Sequence, residues 1–226
     1  MVKPVAAQTV LSVLPPALAD GLMAQARPVA LRAGQVLFLA DDPGDGCYLI
    51  AEGLLKVCVV APSGAERILA VLGPGAMVGE LALLDGRPRS ASVAAIRPSQ
   101  LRFVSRATFQ AFAEAHPEVY RHIVMLLAAR LRDTNAIVTA ASFLTLKGRV
   151  ARALLSLADA FGHDVGNGRL LVRQKVSQAD IAAMAGIARE NASRILNDWI
   201  RARLLTRLSG YYCLENKAAL EAEAEL

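Results

Sequence analysis

Apolar residues along the chain fall into two regimes. Between Pro28 and Phe109 they form short runs or alternations at Val36–Leu39, Cys47–Ala51, Leu54–Val60, Arg67–Val71, Ala91–Ile96 and Leu101–Ser105. The breaks contain Asp41-Asp42-Pro43-Gly44, Pro62-Ser63-Gly64, Leu72-Gly73-Pro74-Gly75 and Asp85-Gly86-Arg87-Pro88. Strands this close together leave no room for intervening amphipathic helices, so the pattern predicts a sandwich or compact barrel. Leu11 to Ala26 reads as a short helical lead-in.

The period changes after Thr108. Tyr120, Val124, Leu127, Leu131, Thr134, Val138 and Ala141 follow one another in alternating steps of four and three. That is the a/d seam of a parallel coiled coil, and it predicts a dimer. An ordinary amphipathic helix lying on the β domain is the alternative. Arg130, Arg132 and Asp133 fall off the line. Thr134 is the exception within it, since a buried hydroxyl needs solvent, its own helix backbone or a ligand as partner.

Leu146 to Phe161 predicts a further helix, Gly162 to Gly168 a turn-rich break and Leu170–Arg173 a short strand. Ser142-Phe143-Leu144-Thr145 is placed to act as a hinge. The expected organisation is 1–115 for a β domain with flanking helices, 116–142 for a dimerisation helix, and 143–226 for a second domain ending in a short acidic tail.

Within that second domain Ser177 is an oxygen-bearing cap, followed three positions later by Asp180, where a capping box prefers Glu or Gln. Ile181 and Met184 supply the apolar face, Gly186 permits a tight turn, and a second helix runs from about Arg189 to Arg201. Ala192, Ile195, Leu196 and Trp199 face inward on it. Two short helices around such a turn form a helix-turn-helix. Arg189, Glu190 and Arg194 lie on the opposite side, where Arg can read guanine and Glu cytosine in a major groove, and Asn191 can contact phosphate or a base. A solvated face with an i,i+4 Glu190–Arg194 pair is the bland reading. Leu204–Leu208, Ser209-Gly210 and Tyr211–Leu214 form a hairpin resembling a wing. Lys175, Arg207, Arg173, Arg201 and Arg203 are candidates for phosphate contact.

Charge sharpens this picture. The formal net charge is +5, and Phe143 to Lys217 holds twelve Lys/Arg against six Asp/Glu, whereas Met1 to Ser142 holds thirteen against eleven. The second half is therefore the one suited to a polyanion. An apolar fraction of 54% allows substantial cores, and no run approaches ~20 uninterrupted apolar residues, so neither a membrane span nor a signal peptide is expected and the chain reads as cytoplasmic. Cys47, Cys58 and Cys213 are scattered, which points to buried, inert thiols rather than disulfides or a metal site. No Ser–His–Asp set, metal cluster or paired acids suggests an enzyme, and no catalytic cofactor is implied.

The segment Met77 to Ala91 carries the remaining chemistry. A short helix at Glu80–Leu84 entered through Gly79 would aim backbone N–H groups at an anion, and Arg89 and Ser90 can complete the site. Glu80 fits beside a phosphate only if it accepts from a sugar hydroxyl; a Glu80–Arg89 salt bridge bracing a loop is the plainer reading.

Gly79 to Ala91 resembles the phosphate-binding cassette, and Ile187-Ala188-Arg189-Glu190-Asn191-Ala192-Ser193-Arg194-Ile195-Leu196 the recognition helix, of the bacterial cyclic-AMP receptor and fumarate–nitrate regulator (Crp/Fnr) superfamily. The likeness runs from about Leu14 to Leu214. It implies an α+β chain with an N-terminal β jelly roll, a long dimerisation helix and a C-terminal winged helix-turn-helix. It further implies a homodimeric transcription regulator controlled by a cyclic nucleotide, cyclic AMP first and cyclic GMP second, with double-stranded DNA and RNA polymerase as partners. Glu80 would then take the ribose 2′-hydroxyl, Arg89 and Ser90 the cyclic phosphate, Leu81 and Ala82 backbone contacts, and Thr134 with Asn135 the purine. Arg189, Glu190 and Arg194 would read a TGTGA-like half-site in an inverted repeat. Three departures stand out: Ala188 replaces the usual Ser or Thr cap, the loop before Arg89 is one residue shorter, and Asn135 replaces a serine. The rival without a ligand is a DNA-binding dimer whose β domain only supports pairing; another non-nucleotide effector is the second rival.

Overall fold

The computed structural model describes residues 16–225, so residues 11–15 of the expected lead-in helix lie outside the described residues. The chain divides into two compact units that meet at Leu131/Arg132, within the long helix.

The first unit starts with α1 (Pro16–Ala24) and continues through β1 (Arg27–Leu31), β2 (Val36–Phe38), β3 (Gly46–Val60), β4 (Glu66–Leu72), β5 (Met77–Val78), α2 (Glu80–Asp85), β6 (Ser92–Ser105) and α3 (Arg106–Ala115). It takes in the first half of α4 (Val119–Phe143). Six antiparallel strands form a jelly-roll-like sheet in the order β1-β6-β3-β4, with β2 also on β6 and β5 also on β3.

Two expected strand pairs prove to be single strands. The runs at Cys47–Ala51 and Leu54–Val60 join in β3, and those at Ala91–Ile96 and Leu101–Ser105 join in β6. The intervening residues are absorbed as irregularities, because the β3–β6 register shifts on both sides of Glu52 and Leu54. Gly53 sits there with φ +97°, and a Cβ on it would lie 2.2 Å from Ser99 Oγ. That hydroxyl accepts the Leu54 N–H at 3.1 Å and donates to the Arg97 carbonyl at 2.8 Å. A bulge held this way bends a strand without ending it.

The long helix carries two apolar stripes. Val119, Ile123 and Leu126 are buried in a core shared with Leu22, Leu49, Val104 and Phe109. The seam line points elsewhere: Tyr120, Val124, Leu131 and Val138 are exposed, Thr134 and Ala141 are exposed, and Leu127 is half-buried against the core. So α4 does pack on the β domain, but through a different face from the one that predicts a dimer.

In the second unit the rest of α4 is followed by α5 (Leu146–Phe161), β7 (Gly162–Asp164), β8 (Leu170–Val172), α6 (Gln178–Ala185), α7 (Arg189–Arg201), β9 (Leu205–Leu208), β10 (Tyr211–Leu214) and α8 (Lys217–Glu223). Thr145 ends the expected hinge by capping α5, its side chain accepting the Gly148 N–H at 3.1 Å. The turn-rich break contributes β7, paired to β8, in a four-stranded sheet ordered β7-β8-β10-β9. The hairpin turn has positive φ at both Ser209 (51°) and Gly210 (88°), the handedness that suits a two-residue connection. The acidic tail is helical as α8 and anchored by buried Leu220.

Asp180 completes the capping box after all. Its carboxylate accepts the Ser177 N–H at 3.1 Å, while Ser177 Oγ accepts the Asp180 N–H at 3.0 Å. One carboxylate oxygen reaches back from the shorter side chain because the Ser177 hydroxyl also donates to it, at 2.6 Å. Ser177→Ala removes both bonds of the hydroxyl, leaving only the backbone N–H donor to Asp180, and should lower stability of the helix-turn-helix unit by about 1 kcal/mol, read from its thermal unfolding.

Candidate functional site

Gly79 opens α2 in the left-handed conformation (φ 85°), a geometry that glycine adopts without strain, and no side chain caps the helix. Gly86 closes it in the same conformation, its N–H donating to the Ala82 carbonyl at 3.2 Å. This short turn carries Glu80 inward to 2% exposure, and Arg89, returning from the following loop, to 4%.

The two are not each other's partner. Glu80 Oε1 is ion-paired with Arg130 of α4, whose other terminal nitrogen donates to the Met77 carbonyl. Arg89 Nη1 donates to the carbonyls of Gly46 (2.6 Å) and Gly79 (2.9 Å), and Nη2 reaches the exposed carboxylate of Asp45 at 3.4 Å. Its guanidinium lies over the Phe38 ring, 4.4 Å from the centroid. An alanine at 79 would put its Cβ 2.4 Å from Arg89 Nη1, so the glycine also gives the arginine its space.

Two polar atoms here are buried with no hydrogen-bond partner: Glu80 Oε2 and Arg89 Nε. One accepts and the other donates, and leaving both dry is unfavourable by more than a kcal/mol apiece. A bound molecule offering a hydroxyl to the first and an anionic oxygen to the second would satisfy both. Of the other expected contacts, Ala82 is buried while Leu81 and Ser90 are exposed. Thr134 and Asn135 are exposed on α4, beyond the break between units.

Beneath the site Cys47 is fully buried, and burial first, then the Glu80 charge, pushes its thiol up to about 12. It stays protonated and inert. Burial and the neighbouring Glu66 do the same for Cys58, up to about 12, and burial raises Cys213 as well. Among the described residues no group of His, Cys, Asp and Glu is arranged to hold a metal, and no helix is long and apolar enough to cross a membrane.

The second unit presents a different surface. Ala192, Leu196 and Trp199 fix α7 by burial, with Ile195 beside them. That leaves Arg189, Glu190 and Arg194 exposed and Asn191 half-exposed on the outer face. Among the ion pairs of the described residues none joins Glu190 to Arg194, so the bland reading of that face loses its main interaction. Ala188 provides no side-chain cap to α7. Lys175 and Arg207 are exposed, each held over an aromatic ring of β10: Lys175 Nζ 5.2 Å from Tyr211, and the Arg207 guanidinium 5.5 Å from Tyr212.

Comparison with known proteins decides the family. The chain is 34% identical over 210 residues to the CRP-like cAMP-activated global transcriptional regulator of Mycobacterium tuberculosis, covering 93% of this chain and 90% of that protein. The chain belongs to the Crp/Fnr superfamily. Its residues 28–116 match the cyclic nucleotide-binding domain family and residues 148–223 the Crp-like helix-turn-helix domain family. It is also 36% identical over 164 residues to the cyclic AMP receptor protein of Thermus thermophilus, covering 73% of this chain and 72% of that one. The structure of FixK2 from Bradyrhizobium japonicum superposes with a TM-score of 0.79 at 22% identity, covering 89% of this chain and 98% of that one, a likeness of fold alone. As a Crp/Fnr protein the chain is a DNA-binding transcription regulator with a nucleotide-binding domain, and its relatives are regulators rather than enzymes.

The residue that sequence reasoning missed is Arg130. It lies off the seam, yet it continues the other stripe, following Val119, Ile123 and Leu126 in steps of four, three and four. A lone cation extending a buried apolar line is a signal for a buried acid opposite it.

Proposed function

We propose that this Crp/Fnr regulator acts as a homodimer that binds cyclic AMP in the Met77–Ala91 pocket and an inverted-repeat, TGTGA-like DNA site through α7. The observation that carries the effector half is the pair of buried, unsatisfied atoms Glu80 Oε2 and Arg89 Nε, a matched acceptor and donor in one cassette. A ribose hydroxyl donates to the first and a cyclic phosphate oxygen accepts from the second. Arg130 acts with them by fixing the Glu80 carboxylate so that only one of its oxygens remains for the ligand. Ser90, exposed beside Arg89, adds a hydroxyl donor, and Leu81 and Ala82 add backbone contacts. Thr134 and Asn135 would take the purine. Two relatives support cyclic AMP over cyclic GMP: the Mycobacterium protein is a cAMP-activated regulator and the Thermus protein a cyclic AMP receptor.

In the stripe Tyr120, Val124, Leu127, Leu131, Thr134, Val138 and Ala141, the exposed apolar side chains of Tyr120, Val124, Leu131 and Val138 support pairing with a second copy, because an identical helix would cover them at a/d spacing. A two-fold pair sets two α7 helices on successive major-groove faces, one helical turn apart. Asn191, Lys175 and Arg207 would hold phosphates while Arg189, Glu190 and Arg194 read bases. Ligand favours the DNA-competent arrangement to the extent that it binds that arrangement better. RNA polymerase is the onward partner.

The test is a fluorescence-anisotropy titration of an inverted-repeat TGTGA duplex at one fixed salt concentration, with cyclic AMP, with cyclic GMP and with neither. Tighter binding with cyclic AMP is expected. Equal affinity in all three arms would show a ligand-independent regulator, and stimulation by cyclic GMP alone would reassign the effector.

A further inference from the structure

Three arginines, one each from α4, α3 and the loop after α2, hold the main chain of the cassette, and only two of them belong to the site described so far. Arg130 of α4 grips the Met77 carbonyl, Arg89 grips that of Gly79, and Arg106, the first residue of α3, grips that of Ala82. Arg106 is thus the sole one of the three that acts on α2 from its C-terminal end.

Its surroundings are built for that contact. The same nitrogen, Nη2, also donates to the Gly44 carbonyl at 3.0 Å, tying α2 to the loop between β2 and β3. That loop touches α2 directly: a Cβ on Gly44 would lie 2.1 Å from the Ala82 Cβ. The backbone of Arg106 is fixed to the same loop, its N–H donating to the Asp45 carbonyl at 2.8 Å. Gly86 leaves room for the guanidinium, since a Cβ there would stand 2.9 Å from Nη1. The Ala82 carbonyl accepts both this bond and the Gly86 N–H, so the last turn of α2 is closed by one neutral and one charged donor. A six-residue helix has too few internal bonds to hold its own shape, and external donors decide its order.

We infer that Arg106 is a positioning residue for the effector: it holds α2 in the conformation that keeps Glu80 buried and aimed at the ligand, without touching the ligand itself. The inference rests on the effector reading given above. Loss of the guanidinium leaves the Ala82 carbonyl with the Gly86 N–H as its donor and uncouples α2 from Gly44. The binding-ready conformation then becomes a fraction of the population, and affinity falls by that fraction.

The experiment uses the full chain and three variants: Arg106→Ala, Arg106→Lys, and Arg89→Ala as a control within the pocket. Cyclic AMP and cyclic GMP are titrated calorimetrically, well below the unfolding temperature of every variant, and amide hydrogen exchange is followed over residues 80–86 without nucleotide. Arg106→Ala is expected to bind about tenfold more weakly, the scale of one charge-assisted hydrogen bond, and to exchange faster at 80–86. Because both bonds come from a single nitrogen, Arg106→Lys is expected to restore both readouts. A purely structural role would lower the unfolding temperature but leave affinity and local exchange unchanged, and that result would overturn the inference. So would an affinity loss that lysine fails to rescue. If the unsubstituted chain binds neither nucleotide, the effector reading fails on its own, and unaltered exchange in Arg106→Ala then overturns the positioning role as well while accelerated exchange, reversed by lysine, upholds it.

Discussion

Arg130→Ala is expected to lower the stability of the β-rich unit by about 3 kcal/mol, measured from its urea-unfolding transition. The size follows from what remains behind. Glu80 is 2% exposed, and without Arg130 its carboxylate has no counter-charge, while the Met77 carbonyl loses a donor. Arg130 keeps about a quarter of its side chain in solvent, which holds the loss to the lower end of the range for breaking a buried pair. Glu80→Gln tests the cause. Once the charge is gone, the further step to Glu80→Gln/Arg130→Ala should be much smaller than Arg130→Ala in the parent chain. Additive effects would mean that Arg130 stabilises by packing alone.

Arg194→Ala is expected to weaken binding to the TGTGA-type duplex by about 10- to 100-fold and to flatten discrimination at one base pair. Arg194 is exposed in the middle of the outward face of α7, with Ala192, Ile195 and Leu196 turned inward around it, so its removal leaves the helix packing untouched. Lys175→Ala and Arg207→Ala should behave differently. They lower affinity on every sequence alike and reduce the slope of affinity against salt, as loss of a phosphate contact does. The measurement is anisotropy on matched and single-mismatch duplexes at several salt concentrations. Identical losses on matched and mismatched DNA for Arg194→Ala would remove it from the base-reading set.

Local signals were legible wherever the sequence states them within a few residues. The bounds of α7, the left-handed cap at Gly186 and the two-residue wing turn at Ser209-Gly210 all follow from short-range patterns. The capping box was stronger than its composition suggested, because the Ser177 hydroxyl brings the short Asp180 side chain within reach. Strand number was less legible. The apolar runs stop at Ala51 and Ile96 and resume at Leu54 and Leu101, but a bulge pinned by Ser99 lets β3 and β6 run through those gaps. The least legible feature was the partner of Glu80. Arg89 is nine positions away in sequence and looks like its mate; Arg130 is fifty positions away and becomes its neighbour only once α4 lies against the sheet. Sequence spacing reports proximity along a helix or a hairpin, and this contact belongs to neither.

Apart from the Arg130–Glu80 ion pair, the arginine clamps on the cassette act on peptide oxygens, those of Met77, Gly79 and Ala82. The clamped residues themselves are confined, Gly79 by its left-handed backbone and the nearby Arg89, and Met77 and Ala82 by burial, but the clamps make no demand on the exposed side chains between them. Exposed positions such as Leu81 and Leu84 can be exchanged without loosening any of the three attachments. For protein engineers this makes the segment a chassis with interchangeable fittings: selectivity for one small molecule over another can be retuned there while the scaffold underneath stays as it is.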